Sequence, residues 1–586
     1  MCGIAGIIGN IPSGVIERLI AEMSHRGPDG TGFSANGNAR IGSCRLSIVD
    51  VSGGEQPFYS EDGRLSSVVN GEIYNYRELR EELSASGHTL RSASDAEVVV
   101  HLYEEYGEDC VSKLRGMFAL AVSSPDGVFL ARDRLGIKPL YLYELPNARG
   151  LAFASEIRAL LRAGCDAALD ETSLAESVSI GYALGSRTLF RSIRELPPGE
   201  TLTVSVVRGE IVKRSRRYYE RKPQGLSGLT FHEAVRSLRE KIEKTVASHF
   251  IGEYPMAICL SGGLDSTILA ADASLHGELT AFTVSDRADH PDVLVAKNVA
   301  SHLGIRHEFL LMTQRDAFAN IVPFVEAAHT IPSVHSLPSL LLSRRIASVT
   351  KVCLDGEGAD EVFGGYLHHM QPSRNVASLE SSIRSCVEIG LPISEGLLEA
   401  VEIYRYDNGE RDNGARVLDF EQRSALVKQH FDPLDRLGME CSLEYRVPFM
   451  DHELFELGNS LPITYRLNRS LGIGKFVLRA VALDMLGSAG LEPVLRLKHG
   501  FPSSGAGFAR RFDDAVEQVM PADYHPKHDL GKAFRSTGKL VLFDLFLDSL
   551  SDGADSRVAP MREFLAETSR SSDASIARHQ VMKASV

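Results

Sequence analysis

The chain is predicted to fold as two domains of different class: an α+β domain built on packed β-sheet, followed by an α/β domain on a parallel nucleotide-binding sheet with helical elaboration. Three observations predict this. At 586 residues the chain exceeds a single hydrophobic core, since domains run to roughly 100–200 residues. From Ile41 to about Val212 short strand-like runs alternate with turns, the rhythm of packed sheet. From Met256 to Val284 strand, Gly-rich loop, helix and strand follow one another, the βαβ order of a parallel sheet.

Taken in order, RLSIVDV, SSVVNGEIYN, MFALAVSS (closed by a PDG turn), GVFLARD, GLAFASE and TLTVSVV read as strands, and apolar residues at three- and four-residue steps predict helices over 76–86 and 96–106. The run KRSRRYYERKPQGLSG, residues 213–228, is basic, polar and broken by Pro and Gly. The domains are accordingly set at 2–215 and 231–586, with 216–230 as linker. The second opens on a helix carrying Val235, Leu238, Ile242 and Val246 on one face, then the strand candidate MAICL, the loop SGGLDST, a helix and the strand candidate LTAFTV. Beyond Gly365 the pattern is mostly helical, and the last fifteen or so residues read as a frayed tail.

Composition narrows the function classes. Hydrophobic residues at 44% and charged residues at 24% exclude collagenous and disordered chains. A net charge of −14 argues against nucleic acid as a partner. No run approaches 18 consecutive apolar residues and the N-terminus lacks the basic segment of a signal peptide, so the expectation is a cytoplasmic protein with no membrane partner. Eight cysteines, with no CxxC pair, suggest neither disulfides nor a zinc knuckle. Cys2 stands apart, because removal of the initiator Met makes it the first residue.

Two Gly-rich loops carry the second domain's chemistry. In SGGLDS, Ser261–Ser266, successive N–H groups backed by a helix start form an anion site for phosphate; taken alone, the pentapeptide SGGLD is equally compatible with a tight turn. The pattern is not GxxxxGK[ST]. DGEGADEVFGGY, residues 355–366, follows the strand candidate VCL and brings Glu357, Asp360 and Glu361. Carboxylates at the ends of parallel strands suit Mg²⁺ held against a pyrophosphate, and Asp265 and Asp360 are the candidate ligands.

This pair of loops resembles the PP-loop ATP pyrophosphatases. Together with MCGIAG, RGPDG, RLSIVD, NGEIYNY, SDAE, RDRLGIKPLY, LPPG and LEYRVPFMD in this order, the chain resembles the glutamine-dependent asparagine synthetases from Cys2 to about Pro502. The resemblance implies an N-terminal-nucleophile (Ntn-type) β-sandwich flanked by helices (αββα), then a parallel α/β PP-loop domain, in a homodimer. It implies glutamine hydrolysis at Cys2, adenylation of a carboxylate by ATP with Mg²⁺, and amidation by channelled ammonia, with aspartate as the acceptor.

An N-terminal Cys carries both a nucleophilic thiol and an amine able to act as base. The resemblance assigns the oxyanion donors to Asn70 and Gly71. It assigns glutamine binding to Arg45, the backbone of Leu46, Ser47, Ile48 and Val49, Glu72 and Asp95. ATP contacts fall to Leu260, Ser261, Gly262, Gly263, Asp265, Ser266, Val284, Asp355 and Gly356, the base to Glu357 and pyrophosphate neutralisation to Lys475. The run HTIPSVHSLPSLLLSR, residues 329–344, lacks the Arg that the family carries there, so two alternatives stand beside aspartate: the same mechanism on another carboxylate of secondary metabolism, and a β-lactam-synthetase-like cyclase. Cys2 with its attendant residues favours ammonia over the cyclase.

Overall fold

The computed structural model describes residues 2–221, 225, 228–405, 413–487, 491–495, 504–521, 523–524, 526, 534, 536–550 and 557–570. The expected tail and the Pro502 end of the resemblance lie outside these residues. Strands are β1 (Cys2–Gly9), β2 (Gly30–Asn36), β3 (Ala39–Arg45), β4 (Phe58–Tyr59), β5 (Ser66–Ile73), β6 (Gly116–Ser124), β7 (Gly127–Arg132), β8 (Tyr141–Glu144), β9 (Gly150–Ala154), β10 (Ile193–Glu195), β11 (Glu200–Val207), β12 (Glu210–Arg217), β13 (Met256–Cys259), β14 (Leu279–Ser285), β15 (Arg306–Leu311), β16 (Val352–Leu354) and β17 (Glu444–Arg446).

The first twelve form two six-stranded antiparallel sheets, ordered β10-β8-β9-β1-β3-β2 and β12-β11-β7-β6-β5-β4. Ile4, Ile41, Phe153, Val68, Ala121, Leu130 and Val204 interleave between the sheets. On the outer faces Ala5 and Ile7 pack with Ile16, Leu19 and Ile20 of the helix Gly14–Ala21, and Val69 and Leu120 with Leu79, Leu83 and Val98–Val100 of the helices Tyr76–Ala85 and Val98–Tyr106. The layers are helix, sheet, sheet, helix, because period-two alternation gives each strand two apolar faces to cover. The basic run beginning at Lys213 opens as the outer half of the exposed edge strand β12, where charged side chains discourage further pairing.

Two sequence expectations need correction. RLSIVDV is not a strand: β3 ends at Arg45. Its guanidinium donates hydrogen bonds to the carbonyls of Val49, Asp50 and Val51 at 3.1, 2.6 and 3.2 Å, so that backbone is satisfied by a side chain instead of a neighbouring strand. Conversely β1 and β2 were not anticipated. β1 is Gly-rich because packing requires it: a Cβ at Gly6 would lie 2.3 Å from the Phe153 ring.

The second sheet system is parallel, in the order β15-β14-β13-β16-β17. Ile258 and Ala281 face one helical layer while Ala257, Cys259 and Phe282 face the other, as expected of strands buried on both sides. The order reverses between β13 and β16, and ligands of open α/β sheets bind outside the strand ends at such a switch point. The loops after β13 and β16 are the two Gly-rich motifs. The helix Phe231–His249 starts at a capping box of Thr230 and Glu233 and buries Leu238, Ile242 and Val246, with Val235 half-buried.

The halves meet across buried charge pairs, Arg26 with Asp435 at 2.8 Å, Lys138 with Asp435 at 3.2 Å and Glu72 with Arg446 at 3.3 Å, and a half-buried one, Arg115 with Asp451 at 2.7 Å. All eight cysteines are free, six buried and two half-buried. Among the described residues no helix is long and apolar enough to cross a membrane.

Candidate active site

Two separate sites emerge, one in each half. In the first, β1 pairs with β3 so that Cys2 lies opposite Arg45, which explains how residues 43 apart in sequence come together. The Cys2 N–H donates to Asn70 Oδ1 at 3.3 Å, while Asn70 Nδ2, fully buried, has no hydrogen-bond partner. A buried unpaired donor costs roughly 1–3 kcal/mol, so this one is poised for an acceptor absent from the folded chain. Gly71 sits at φ +143°, and a Cβ there would meet the Met117 carbonyl at 1.9 Å; only glycine lets the strand run this close to its neighbour.

Cys2 is 4% exposed. Burial pushes its thiol pKa up, against the pull of the N-terminal cation, a Leu46 backbone hydrogen bond and Arg45. Leu46, Ser47, Ile48 and Val49 are buried in the loop after β3, with the Ser47 N–H donating to Asp29 at 2.7 Å. Asp95 is buried and accepts from the Ile73 N–H at 2.8 Å; burial raises its pKa despite that bond. The Glu72 carboxylate turns to Arg446 of β17. Its pKa is raised well above the ordinary value by burial, then by Glu444 and Asp95, while Arg446 overcomes burial to hold Glu444 at about 2.

The second site is a cavity of about 500 Å³ at the switch point, lined by Ser261, Gly262, Gly263, Asp265, Ser266, Asp355, Gly356, Glu357, Asp360 and Lys475 among others. Gly262 at φ +71° packs where a Cβ would lie 2.5 Å from the Asp292 carbonyl. Gly263 caps the helix Leu264–Ala273, so its N-terminal N–H groups and partial positive charge face the cavity. Leu260 and Val284 line a small apolar pocket that shares Cys259, Ser261 and Asp292 with the larger one. The Glu357 N–H donates to Asp355 Oδ1 at 2.9 Å.

Asp265 and Asp360 converge on Lys475, whose Nζ pairs with Asp265 and lies 2.6 Å from Asp360 Oδ1. Two carboxylates within reach of one cation, in a cavity built on a phosphate-type loop, are the hard-oxygen donor set that Mg²⁺ takes. The close approach is sequence-encoded, since a Cβ on Gly365 would fall 1.5 Å from Asp360 Oδ1.

Sequence reasoning missed several residues. Gln56 Nε2 donates to Cys2 Sγ at 3.3 Å while its amide brackets Val69 through bonds of 3.0 and 2.6 Å. Arg26, in RGPDG, donates to the Cys2 carbonyl at 3.3 Å and spans Glu156 and Asp435; its motif was visible but not its role. His430 pairs through Nδ1 with Glu357 and lies through Nε2 3.2 Å from Glu361. It sits in a π-helical turn, Leu426–Phe431, a deviation frequent at functional sites. His335, Ser336 and Ser339 of the altered run also line the cavity.

Family models agree with this division. A model described as glutamine amidotransferase domain matches residues 1–219, and one described as asparagine synthase matches residues 237–533. The asparagine synthetase [glutamine-hydrolyzing] 1 of Bacillus subtilis (strain 168) is 29% identical over 561 residues, covering 86% of this chain and 87% of that protein. Asparagine synthetase [glutamine-hydrolyzing] 3 of the same organism is 30% identical over 536 residues, covering 83% and 85%. Asparagine synthetase B of Escherichia coli (strain K12) is 29% identical over 555 residues, covering 89% and 92%.

Proposed function

The chain belongs to the asparagine synthase family, and from that premise we propose that it is a glutamine-hydrolysing amidotransferase that adenylates L-aspartate with ATP and amidates it to L-asparagine, releasing AMP and pyrophosphate. The observation that carries the first half-reaction is the buried, unpaired Asn70 Nδ2 beside Cys2. The Cys2 thiol attacks the glutamine amide carbon, its proton passing to the α-amine freed by Met removal. The developing oxyanion accepts from the Asn70 amide N–H and the Gly71 backbone N–H; its collapse breaks the C–N bond and expels ammonia, which takes the proton from the α-amine, and water then cleaves the Cys2 thioester to release glutamate and restore the thiol. Arg45 meets the substrate α-carboxylate and Asp95 its ammonium.

In the second half-reaction the acceptor carboxylate attacks the α-phosphorus and pyrophosphate leaves. The loop Ser261–Ser266 holds the phosphates, and Lys475 faces the departing charge. Asp265 and Asp360 would hold Mg²⁺, which when bound shields the pyrophosphate oxygens. Leu260 and Val284 pack the adenine, with Asp355 and Gly356 alongside. Glu357, oriented by His430, takes a proton from ammonia as it attacks the adenylate carbonyl, and AMP departs.

Asn70→Ala is expected to lower kcat for glutamine hydrolysis by about 10²–10³, with little change in KM, as assayed by glutamate release. The acceptor is tested by pyrophosphate release from ATP across a panel of carboxylic acids. Stimulation by aspartate and formation of asparagine support the reading. The His335, Ser336 and Ser339 wall, without a guanidinium, favours one second reading, a different carboxylate acceptor; release with another acid but not aspartate would establish it.

A further inference from the structure

The first domain holds a side-chain cluster that neither reaction uses. Glu61, in the turn between β4 and β5, His88, after the helix Tyr76–Ala85, and His101 and Glu104 of the helix Val98–Tyr106 offer four ligand atoms within 4.8 Å of one another. None of the four lines the ATP-type cavity. Glu61 Oε1 lies 3.1 Å from His88 Nδ1, Glu61 Oε2 lies 3.3 Å from His101 Nδ1, and Glu104 Oε2 lies 3.7 Å from His88 Nδ1. A tetrahedral zinc ion with bonds of about 2.0–2.2 Å sets its donor atoms about 3.3–3.6 Å apart, close to the edges already present.

A second, independent observation points the same way. His101 is 1% exposed and neither ring nitrogen has a hydrogen-bond partner. Its nitrogens face the Glu61 and Glu97 carboxylates at 3.3 and 3.9 Å without making a hydrogen bond, and a buried imidazole that makes none is costly unless something else takes its lone pair. The outer nitrogen of His88 is arranged as a metal-bound histidine requires, with Nε2 3.0 Å from Glu105, and His101 Nε2 faces Glu97 at 3.9 Å. Glu97 is itself fixed by the N–H groups of Arg91 and Ser92 at 2.6 and 2.8 Å. At His88 the carboxylate on Nε2 keeps the proton there and leaves Nδ1 free to ligate.

The cluster His368, His369 and Glu421 differs. There the Tyr366 N–H donates to His369 Nδ1 at 3.3 Å, which leaves the proton on Nε2, the nitrogen facing Glu421, and closes it to a metal.

We propose that Glu61, His88, His101 and Glu104 form a structural Zn²⁺ site that staples the turn and both helices on the outer face of the first domain. The test is a ZnCl₂ titration of the untagged, chelator-treated full chain against a competing chromophoric chelator, with X-ray absorption on the loaded protein. One Zn²⁺ per chain, bound through two nitrogens and oxygens with no sulfur, is expected. His101→Gln and Glu104→Gln should each weaken binding at least tenfold, while Asp265→Asn keeps the parent affinity. Glu104 is one-third exposed, so its variant remains informative if the His101 variant misfolds. Failure to retain a stoichiometric ion, sulfur in the coordination shell, or parent affinity in Glu104→Gln would overturn the site.

Discussion

Cys2→Ala is expected to abolish glutamine-driven turnover and leave ammonia-driven turnover within about twofold of the parent. Deleting a catalytic nucleophile costs roughly 10⁴–10⁶ in rate, because the remaining donors cannot replace the covalent step. The change is sterically mild. Cys2 is 4% exposed, and its sulfur gives up one hydrogen bond from Gln56, so the loss in stability should stay near 1 kcal/mol. Ammonia can reach the second site without the thiol, and the side chains that line that site's cavity do not include Cys2, Arg45, Asn70 or Asp95. Glutamate release and product formation are followed in parallel with either nitrogen donor. Loss of both activities in a folded variant would sink the two-site mechanism. The parent's glutamine rate should rise with pH toward about 8, since burial keeps the thiol protonated and the α-amine must be neutral to accept its proton.

What the sequence revealed, and what it hid, follows from the range of the interactions. The βαβ start was legible because strand, glycine turn and helix are consecutive: MAICL became β13, SGGLDS the loop, and Gly263 the cap of the next helix. Both carboxylates of the Mg²⁺ hypothesis were legible for the same reason, each being local to its own Gly-rich loop. RLSIVDV misled because its apolar alternation is that of a strand, and nothing local reveals that Arg45 satisfies the carbonyls of Val49, Asp50 and Val51. His430 was invisible, since it meets Glu357 across 73 residues and lies in an otherwise ordinary amphipathic stretch. Gln56 was hidden likewise, 54 residues from Cys2. The His88 and His101 cluster has neither a short ligand spacing nor a cysteine, so only folding assembles it.

Lys475→Met is expected to reduce acceptor-dependent pyrophosphate release by about 10³, within the range found when one cation is removed from a phosphoryl-transfer site, while glutamate release from glutamine stays within about twofold. Its backbone shows why the position is demanding. Lys475 sits at φ +53°, an uncommon conformation for a residue with a side chain, directly before the helix Phe476–Leu486. Its N–H donates to the Phe363 carbonyl at 3.0 Å. Gly474 permits that approach, because a Cβ there would lie 2.0 Å from the Gly364 carbonyl. The ammonium is thereby delivered between Asp265 and Asp360 with 6% of the side chain exposed. Methionine keeps the length and removes the charge, leaving two carboxylates facing each other. Breaking a buried pair costs roughly 3–5 kcal/mol, so the variant should also melt lower, and added Mg²⁺ should recover part of that loss by binding the same oxygens. Lys475→Arg should recover charge but little rate, since a planar fork cannot occupy the point that an ammonium fills. Thermal melting with and without Mg²⁺, read beside the pyrophosphate assay, separates the two effects: a variant that melts lower yet adenylates at the parent rate would show that Lys475 only neutralises the carboxylates and does not meet the leaving group.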